Sequence, residues 1–156
     1  MLDVGCGTGE HTLMAASLGL EVVGVDTAAA AIGSAERKAR ERGLSARFQL
    51  ADALNLTALG MQFDTVLDCG LFHVFSDEDR RLFVESLSAV ARPGCRYFML
   101  CFSERQPGEF GPRRVTEAEI RASFARGWQV DSIEPATLEI TSGPGVLAWL
   151  ASLTRV

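Results

Sequence analysis

Short apolar runs alternate with amphipathic stretches along the chain. "LDVG" at residues 2–5 and "EVVGVD" at 21–26 have the length and β-branched content of buried strands. Between them lies "EHTLMAASLGL", where Leu13, Met14 and Leu18 fall on one helical face. "TAAAAIGSAERKARERG" has helix-forming content and a stop at Gly43. "ARFQLAD" and "FDTVLDCG" are the third and fourth strand candidates. In "SDEDRRLFVESLSAVARPG", Ser76 and Asp79 form a capping box. Leu82, Phe83, Leu87 and Val90 then repeat at helical spacing until Pro93-Gly94 end the helix. "CRYFMLCF" is a fifth strand, Thr116 and Glu119 cap the helix "EAEIRASFARG", and "WQVDSIEP" is a further strand. "VLAWLASLTR" reads as helix or strand by periodicity alone. With no repeat and no linker, residues 1–156 form one domain. Strands alternating with helices imply right-handed crossovers, so the fold class is α/β: a doubly wound, mostly parallel sheet with helices on both faces.

Composition narrows the function. The 156 residues are 47% hydrophobic and 22% charged, with a net charge of −5. That balance lacks the basic face of a nucleic-acid binder, and "ERKARERG", with its interleaved glutamates, reads as a solvated helix face. No apolar run approaches the roughly 20 residues of a membrane span. No basic n-region precedes an apolar h-region, so the cytoplasm is the expected compartment. Cys6, Cys69, Cys95 and Cys101 show no CxxC pairing and only His11 and His73 accompany them, which argues against a metal site and a disulfide framework.

In doubly wound folds ligands sit at the carboxyl ends of the strands, near the point where strand order reverses. The informative residues are therefore Asp3 to Gly9, Asp26, Asp52, Cys69 to His73 and the stretch after Phe102. Gly5, Gly7 and Gly9 allow unusual dihedrals and backbone approach to a ligand, and amides at a helix start favour an anionic group. A dinucleotide fingerprint would need glycine at position 10, where Glu10 stands, and a carboxylate there is an awkward neighbour for a pyrophosphate. No G-K-[ST] follows, which excludes a P-loop. The spacing from Gly5 to Asp26 still suits an acid that accepts both hydroxyls of a ribose. The ligand is thus a nucleoside whose other end carries a positive charge and a small carboxylate, a description that S-adenosylmethionine fits.

"LDVGCGTGEH" resembles motif I of class I S-adenosylmethionine-dependent methyltransferases, and the resemblance runs the length of the chain. It implies a seven-stranded Rossmann-like sheet whose last strand, "VLAWLASLTR", is antiparallel. It implies that Gly5, Gly7 and Gly9 pack on the methionine part of the cofactor, with Asp3 and Cys6 nearby. Asp26 would hold the ribose, with Thr27 beside it. Asp52 would bind the adenine amino group, flanked by Ala53 and Leu54, and Cys69 and Gly70 would line the methionine end. "DCGLFHVF", "LCFSERQPGEFGPRRVTEAEIRASF" and "AWLASL" are similar to a bacterial small-molecule group related to thiopurine, thiol, tellurite and heterocyclic-compound methyltransferases. That implies a small thiol or an aromatic or heterocyclic O or N acceptor, with S-adenosylhomocysteine as product. The N/D-P-P-Y/F of amino-directed DNA enzymes is missing after the fourth strand. Two other readings are a catalytically silent protein that binds S-adenosylmethionine or S-adenosylhomocysteine, and an NAD-type oxidoreductase disfavoured by Glu10.

The bland readings stand alongside. Asp26 can be a helix cap, and free cysteines are usually small buried hydrophobes. Phe72, Phe75, Phe102 and Phe110 can line an apolar substrate pocket or belong to the core. His73, in the stretch where this family often has a histidine, can act as general base toward the acceptor or can set its loop by hydrogen-bonding a backbone carbonyl. Members of the family usually carry a few tens of residues before motif I. Met1 stands where an apolar strand residue belongs, so an N-terminal lid segment is expected to be missing, with an open cofactor site and an exposed apolar strip prone to self-association.

Overall fold

The structure is a computed structural model that describes residues 1–156 apart from 110, 141, 142 and 144. The elements in chain order are β1 (Leu2–Val4), α1 (Glu10–Ser17), β2 (Val23–Asp26), α2 (Ala29–Arg42) and β3 (Arg47–Leu50). A 3₁₀ segment, Ala53–Leu59, leads to β4 (Phe63–Cys69) and a single turn at Phe72–Val74. Then follow α3 (Asp77–Val90), β5 (Ala91–Phe102), α4 (Glu117–Ser123), β6 (Trp128–Leu138) and β7 (Val146–Arg155). They build one seven-stranded sheet in the order β3-β2-β1-β4-β5-β7-β6. All neighbours pair parallel except β7, which runs antiparallel to both β5 and β6. "VLAWLASLTR" is therefore a strand, and the last one.

From β1 the chain winds outward through β2 and β3, then returns to place β4 on the other flank of β1. That reversal brings the glycine turn after β1 beside the loop after β4, and it is the switch point where such sheets take ligands.

Local signals set the helix ends. Gly43 takes a left-handed φ of 63° after α2, and the Leu44 amide reaches back to Ala39 O at 2.9 Å. Ser76 caps α3 by accepting from the Asp79 amide at 3.1 Å, with Asp77, Glu78 and Asp79 in the first turn complementing the helix dipole. Thr116 and Glu119 form a full capping box at α4. α3 stops at Val90, before the predicted Pro93-Gly94, because the chain passes directly into β5 and pairs with β4 from Ala91 onward.

Two apolar faces differ from expectation. In α1 the buried residues are Thr12, Leu13 and Ala15, while Met14 and Leu18 face solvent. In α3 Phe83, Leu87 and Val90 enter the core and Leu82 does not. In α1 the side that packs carries the small residues Thr12 and Ala15, so packing geometry overrides hydrophobicity there. The core centres on Tyr97, Phe83, Phe124, Trp128 and Phe72, whose rings meet edge-on or tilted at 5.5–6.4 Å. No helix among the described residues is long and apolar enough to cross a membrane.

Candidate functional site

The turn from β1 into α1 is built on three left-handed glycines, with φ of 71° at Gly5, 53° at Gly7 and 85° at Gly9. Their surroundings differ. A Cβ on Gly9 would lie 2.7 Å from Ala35 Cβ and from the Phe48 ring, so this glycine admits close packing of α2 and β3. A Cβ on Gly5 would meet the Leu71 side chain at 3.0 Å, whereas one on Gly7 would find nothing within 4 Å. Gly7 thus presents open space where a ligand can approach the backbone.

Asp26, at the end of β2, ties this turn to the next helix. Its Oδ2 accepts from the Gly7 amide and its Oδ1 from the Ala28 amide, both at 2.8 Å. Each carboxylate oxygen keeps a free lone pair, so the side chain can hold the turn and still accept two hydroxyls. Asp52, after β3, is exposed and caps the following 3₁₀ segment by accepting from the Leu54 amide at 2.9 Å. Gly5, Asp26, Thr27, Ala53 and Leu71, with Val25 and Ala51, line a narrow cleft of about 60 Å³. A concavity of about 490 Å³ that includes Ala51, Asp52 and Asn55 adjoins it. Larger still, at about 560 Å³, is a hollow over the amino ends of β2, β3 and β4, lined by Val22, Ala46 and Phe63 among others. It lies at the wrong end of a parallel sheet for ligand binding.

Several predicted residues sit behind the cleft rather than in it. Asp3 is 1% exposed and accepts from Thr12 Oγ1 at 2.6 Å, bracing the turn against α1; burial raises its pKa. Burial also pushes the Cys6 thiol up to about 12 and raises that of Cys69, which leaves both protonated and unreactive. Glu10 does not confront the ligand side. Arg42 and Lys38 of α2 bind its carboxylate at 2.8–3.0 Å and lower its pKa to about 2, while Lys38 also reaches the Thr8 carbonyl and hydroxyl. A repulsion between Glu10 and a pyrophosphate therefore has no geometric basis here.

The other wall is the loop after β4. Gly70 has a φ of 94° and its amide donates to Leu100 O at 2.9 Å. The loop is organised by a residue that the sequence reading missed, Asp68. Wholly buried, Asp68 accepts from the Leu71 amide at 2.8 Å, the Phe72 amide at 3.1 Å and the Tyr97 hydroxyl at 2.9 Å. Desolvation pushes its pKa up to about 7, against the lowering effect of those donors. In "FDTVLDCG" Asp68 looks like one more alternating strand position, and its partner Tyr97 is 29 residues away. His73, 4% exposed, accepts from the Phe102 amide at Nδ1, 3.0 Å away, and packs edge-on against the Phe102 ring. The backbone group it bonds is an amide, not a carbonyl.

The four phenylalanines separate. Phe72 is 0% exposed, wedged between Phe83, Phe124 and the Arg80 guanidinium, and belongs to the core. Phe75 stacks on Phe83 at 5.0 Å and is half-buried. Phe102 stands with His73 at the mouth of β5, under the Arg114 guanidinium at 5.4 Å. Phe110 lies outside the described residues.

A family model described as a methyltransferase domain matches residues 1–94. The chain is 38% identical over 141 residues to the 2-heptyl-1-hydroxyquinolin-4(1H)-one methyltransferase of Mycobacteroides abscessus, covering 88% of this chain and 62% of that protein. A solved structure concerned with the conversion of a disulfide bond into a thioacetal group during echinomycin biosynthesis superposes with a TM-score of 0.88 at 36% identity. The match covers 99% of this chain and 74% of that one. The magnesium protoporphyrin IX methyltransferase of Synechocystis PCC 6803, solved with bound SAM, superposes with a TM-score of 0.79 at 23% identity, over 99% of this chain and 69% of that one; it shares the fold.

Proposed function

The chain belongs to the class I S-adenosylmethionine-dependent methyltransferases, and from that premise we propose that it methylates a small molecule bearing a thiol or an aromatic or heterocyclic O or N nucleophile. One observation carries this reading: the Asp26 carboxylate binds the Gly7 amide on one side and borders the cleft on the other. The residues fit the cofactor. Gly7 leaves room beside its backbone, Asp26 retains lone pairs for two ribose hydroxyls, and Asp52 offers its second oxygen to an adenine amino group. Ala53 and Leu54 would flank the adenine, Thr27 the ribose, and Gly5, Gly7 and Gly70 the methionine end, with Cys6, Gly9 and Cys69 packed behind them.

S-adenosylmethionine, when bound, supplies an activated methyl group on a sulfonium. The protein's part is then positioning, since alignment of nucleophile and methyl carbon accounts for much of the barrier. Asp68 fixes Gly70 to Phe72 through two loop amides, and Leu71 covers Gly5, so the wall beside the methionine end is rigid. His73, Phe75 and Phe102 would shape the acceptor side. Likeness to a hydroxyquinolone methyltransferase supports an acidic heteroaromatic acceptor.

The experiment is transfer of a labelled methyl group from S-adenosylmethionine to a panel of thiols, hydroxyquinolones and phenols. The expected result is labelled product with at least one class and stoichiometric S-adenosylhomocysteine. Tight cofactor binding with no transfer to any class would point instead to a silent binding protein.

A further inference from the structure

We propose that His73 offers the methyl acceptor an N–H donor rather than a base, so that the acceptor is a group that arrives already ionised: a thiolate or the oxyanion of an acidic O–H. This rests on the methyltransferase reading above and adds to it the charge state of the substrate.

The tautomer follows from one hydrogen bond. The Phe102 amide can only donate, and it meets His73 Nδ1 at 3.0 Å, so Nδ1 holds a lone pair. The single proton of the neutral ring is then on Nε2. Reversing the ring would set a C–H against that amide and leave a buried donor unpaired, which disfavours the alternative. Nε2 has no hydrogen-bond partner among the described residues and, unlike Arg80 Nε and Nη2, is not sealed from solvent, although the side chain as a whole is 4% exposed. The Cε1–Nε2 edge lies against Gly70, where an added Cβ would stand 3.6 Å from Cε1 and 3.9 Å from Nε2. Gly70 follows β4 at the switch point and adjoins Leu71 of the cleft, where the proposed function puts the methionine end. An N–H without a partner among the described residues is thus held beside Gly70, on the side where the proposed function puts the acceptor.

The surroundings keep the ring neutral. Burial, and after it the charge of Arg114 over the Phe102 ring, push the His73 pKa down to about 4. The other ionisable groups at this end of β4 do not replace it as a base. The Cys69 thiol stays protonated, and both Asp68 oxygens are engaged by Leu71, Phe72 and Tyr97.

The step balances without a proton transfer. A lone pair of the acceptor anion forms the bond to the methyl carbon as the carbon–sulfonium bond breaks, and that electron pair remains on sulfur. Sulfonium and anion become a neutral thioether and a neutral methylated product. The Nε2–H would orient the anion through a charge-assisted hydrogen bond.

The test combines a spectroscopic and a kinetic arm. Nitrogen NMR of histidine-labelled protein with S-adenosylhomocysteine bound should show His73 protonated at Nε2, bare at Nδ1 and unchanged from pH 5 to 8. A proton on Nδ1, or a titration near the usual histidine value, overturns the proposal. In kinetics, benzenethiol and 4-nitrophenol supply a thiolate and an oxyanion, and benzyl alcohol a group that stays neutral. His73→Gln, an amide donor that cannot act as base, should retain turnover of either anion within about tenfold, with His73→Leu falling further. Either anion suffices, and which one is taken distinguishes sulfur from oxygen specificity. Methylation of benzyl alcohol, a loss of about 10²–10⁴-fold in His73→Gln, or no transfer to either anion with cofactor bound overturns it. Failure of S-adenosylmethionine to bind at all would instead overturn the underlying methyltransferase reading.

Discussion

Asp68→Ala should lower the stability of the domain by about 3–5 kcal/mol, because it strands two buried donors and a third that is part-buried. The Leu71 amide, the Phe72 amide and the Tyr97 hydroxyl all converge on this carboxyl group, and neither Asp68 nor Tyr97 has any exposed surface to let water replace it. Asp68→Asn keeps one acceptor oxygen and should cost far less. The pair also separates by pH. With its pKa pushed up to about 7, native Asp68 holds its proton more tightly than the unfolded chain, where the group titrates near its ordinary value of 3.8. At this site the folded state therefore binds more protons than the unfolded state between those values, and the Asp68 contribution to stability falls as pH rises through the window and levels off above 7. Each unit of the shift is worth about 1.4 kcal/mol, so the decline attributable to Asp68 is on the order of a few kcal/mol. Glu10 and Glu119, both lowered to about 2, act with the opposite sign below pH 4.5, and His73, lowered from 6.5 to about 4, acts with the opposite sign between those values, while Asp3, raised by burial, acts in the same sense as Asp68; the difference between wild type and an Asp68 variant therefore isolates this group. Urea denaturation from pH 5 to 7 should show the wild type losing stability relative to Asp68→Asn as the pH rises. Parallel pH profiles for the two proteins would refute the assignment.

Gly9→Ala should be the second large effect, about 2–5 kcal/mol destabilising, and Gly7→Ala the contrast at about 1 kcal/mol. Both residues have left-handed φ, so both substitutions carry the conformational penalty. Only at Gly9 does the new methyl also overlap a helix and a strand, 2.7 Å from Ala35 Cβ and from the Phe48 ring. Neither neighbour is the free end of a flexible chain, and relief requires α2 to move away from the turn. Because the Gly9 carbonyl also accepts the first bond of α1 at 2.8 Å, such a shift would loosen the start of that helix as well. Thermal melts of the two variants provide the check; equal losses would mean that the packing at Gly9 is not close.

The parts of the site that were legible in the sequence are those where one residue type answers a local constraint. Alternate glycines after an apolar run mark a left-handed turn, and an acid at the end of the next strand marks Asp26, because strand length and crossover length fix that spacing. What stayed hidden depends on partners far along the chain. Asp68 is indistinguishable from a solvated strand residue until Tyr97 is brought beside it from β5. Phe72 and Phe102 have the same composition-level signal, yet one is enclosed by Phe83 and Phe124 and the other stands beside His73. Met14 and Leu18 satisfy helical periodicity, but the face that packs is the one whose small residues allow close approach, at Thr12 and Ala15. β7 was ambiguous by pattern because "VLAWLASLTR" carries apolar residues on both sides; the resemblance, not the periodicity, predicted its direction.

In the proposed function the glycine turn and Asp26 together hold S-adenosylmethionine. Calorimetric titration of the wild type and Asp26→Ala with that cofactor tests it most directly. The expected result is one saturable site per chain, competed by S-adenosylhomocysteine, and an affinity weaker by about 1.5–3 kcal/mol in the folded variant, as for a lost charged hydrogen bond. No saturable binding to the wild type, or equal affinity in a folded Asp26→Ala, would contradict it.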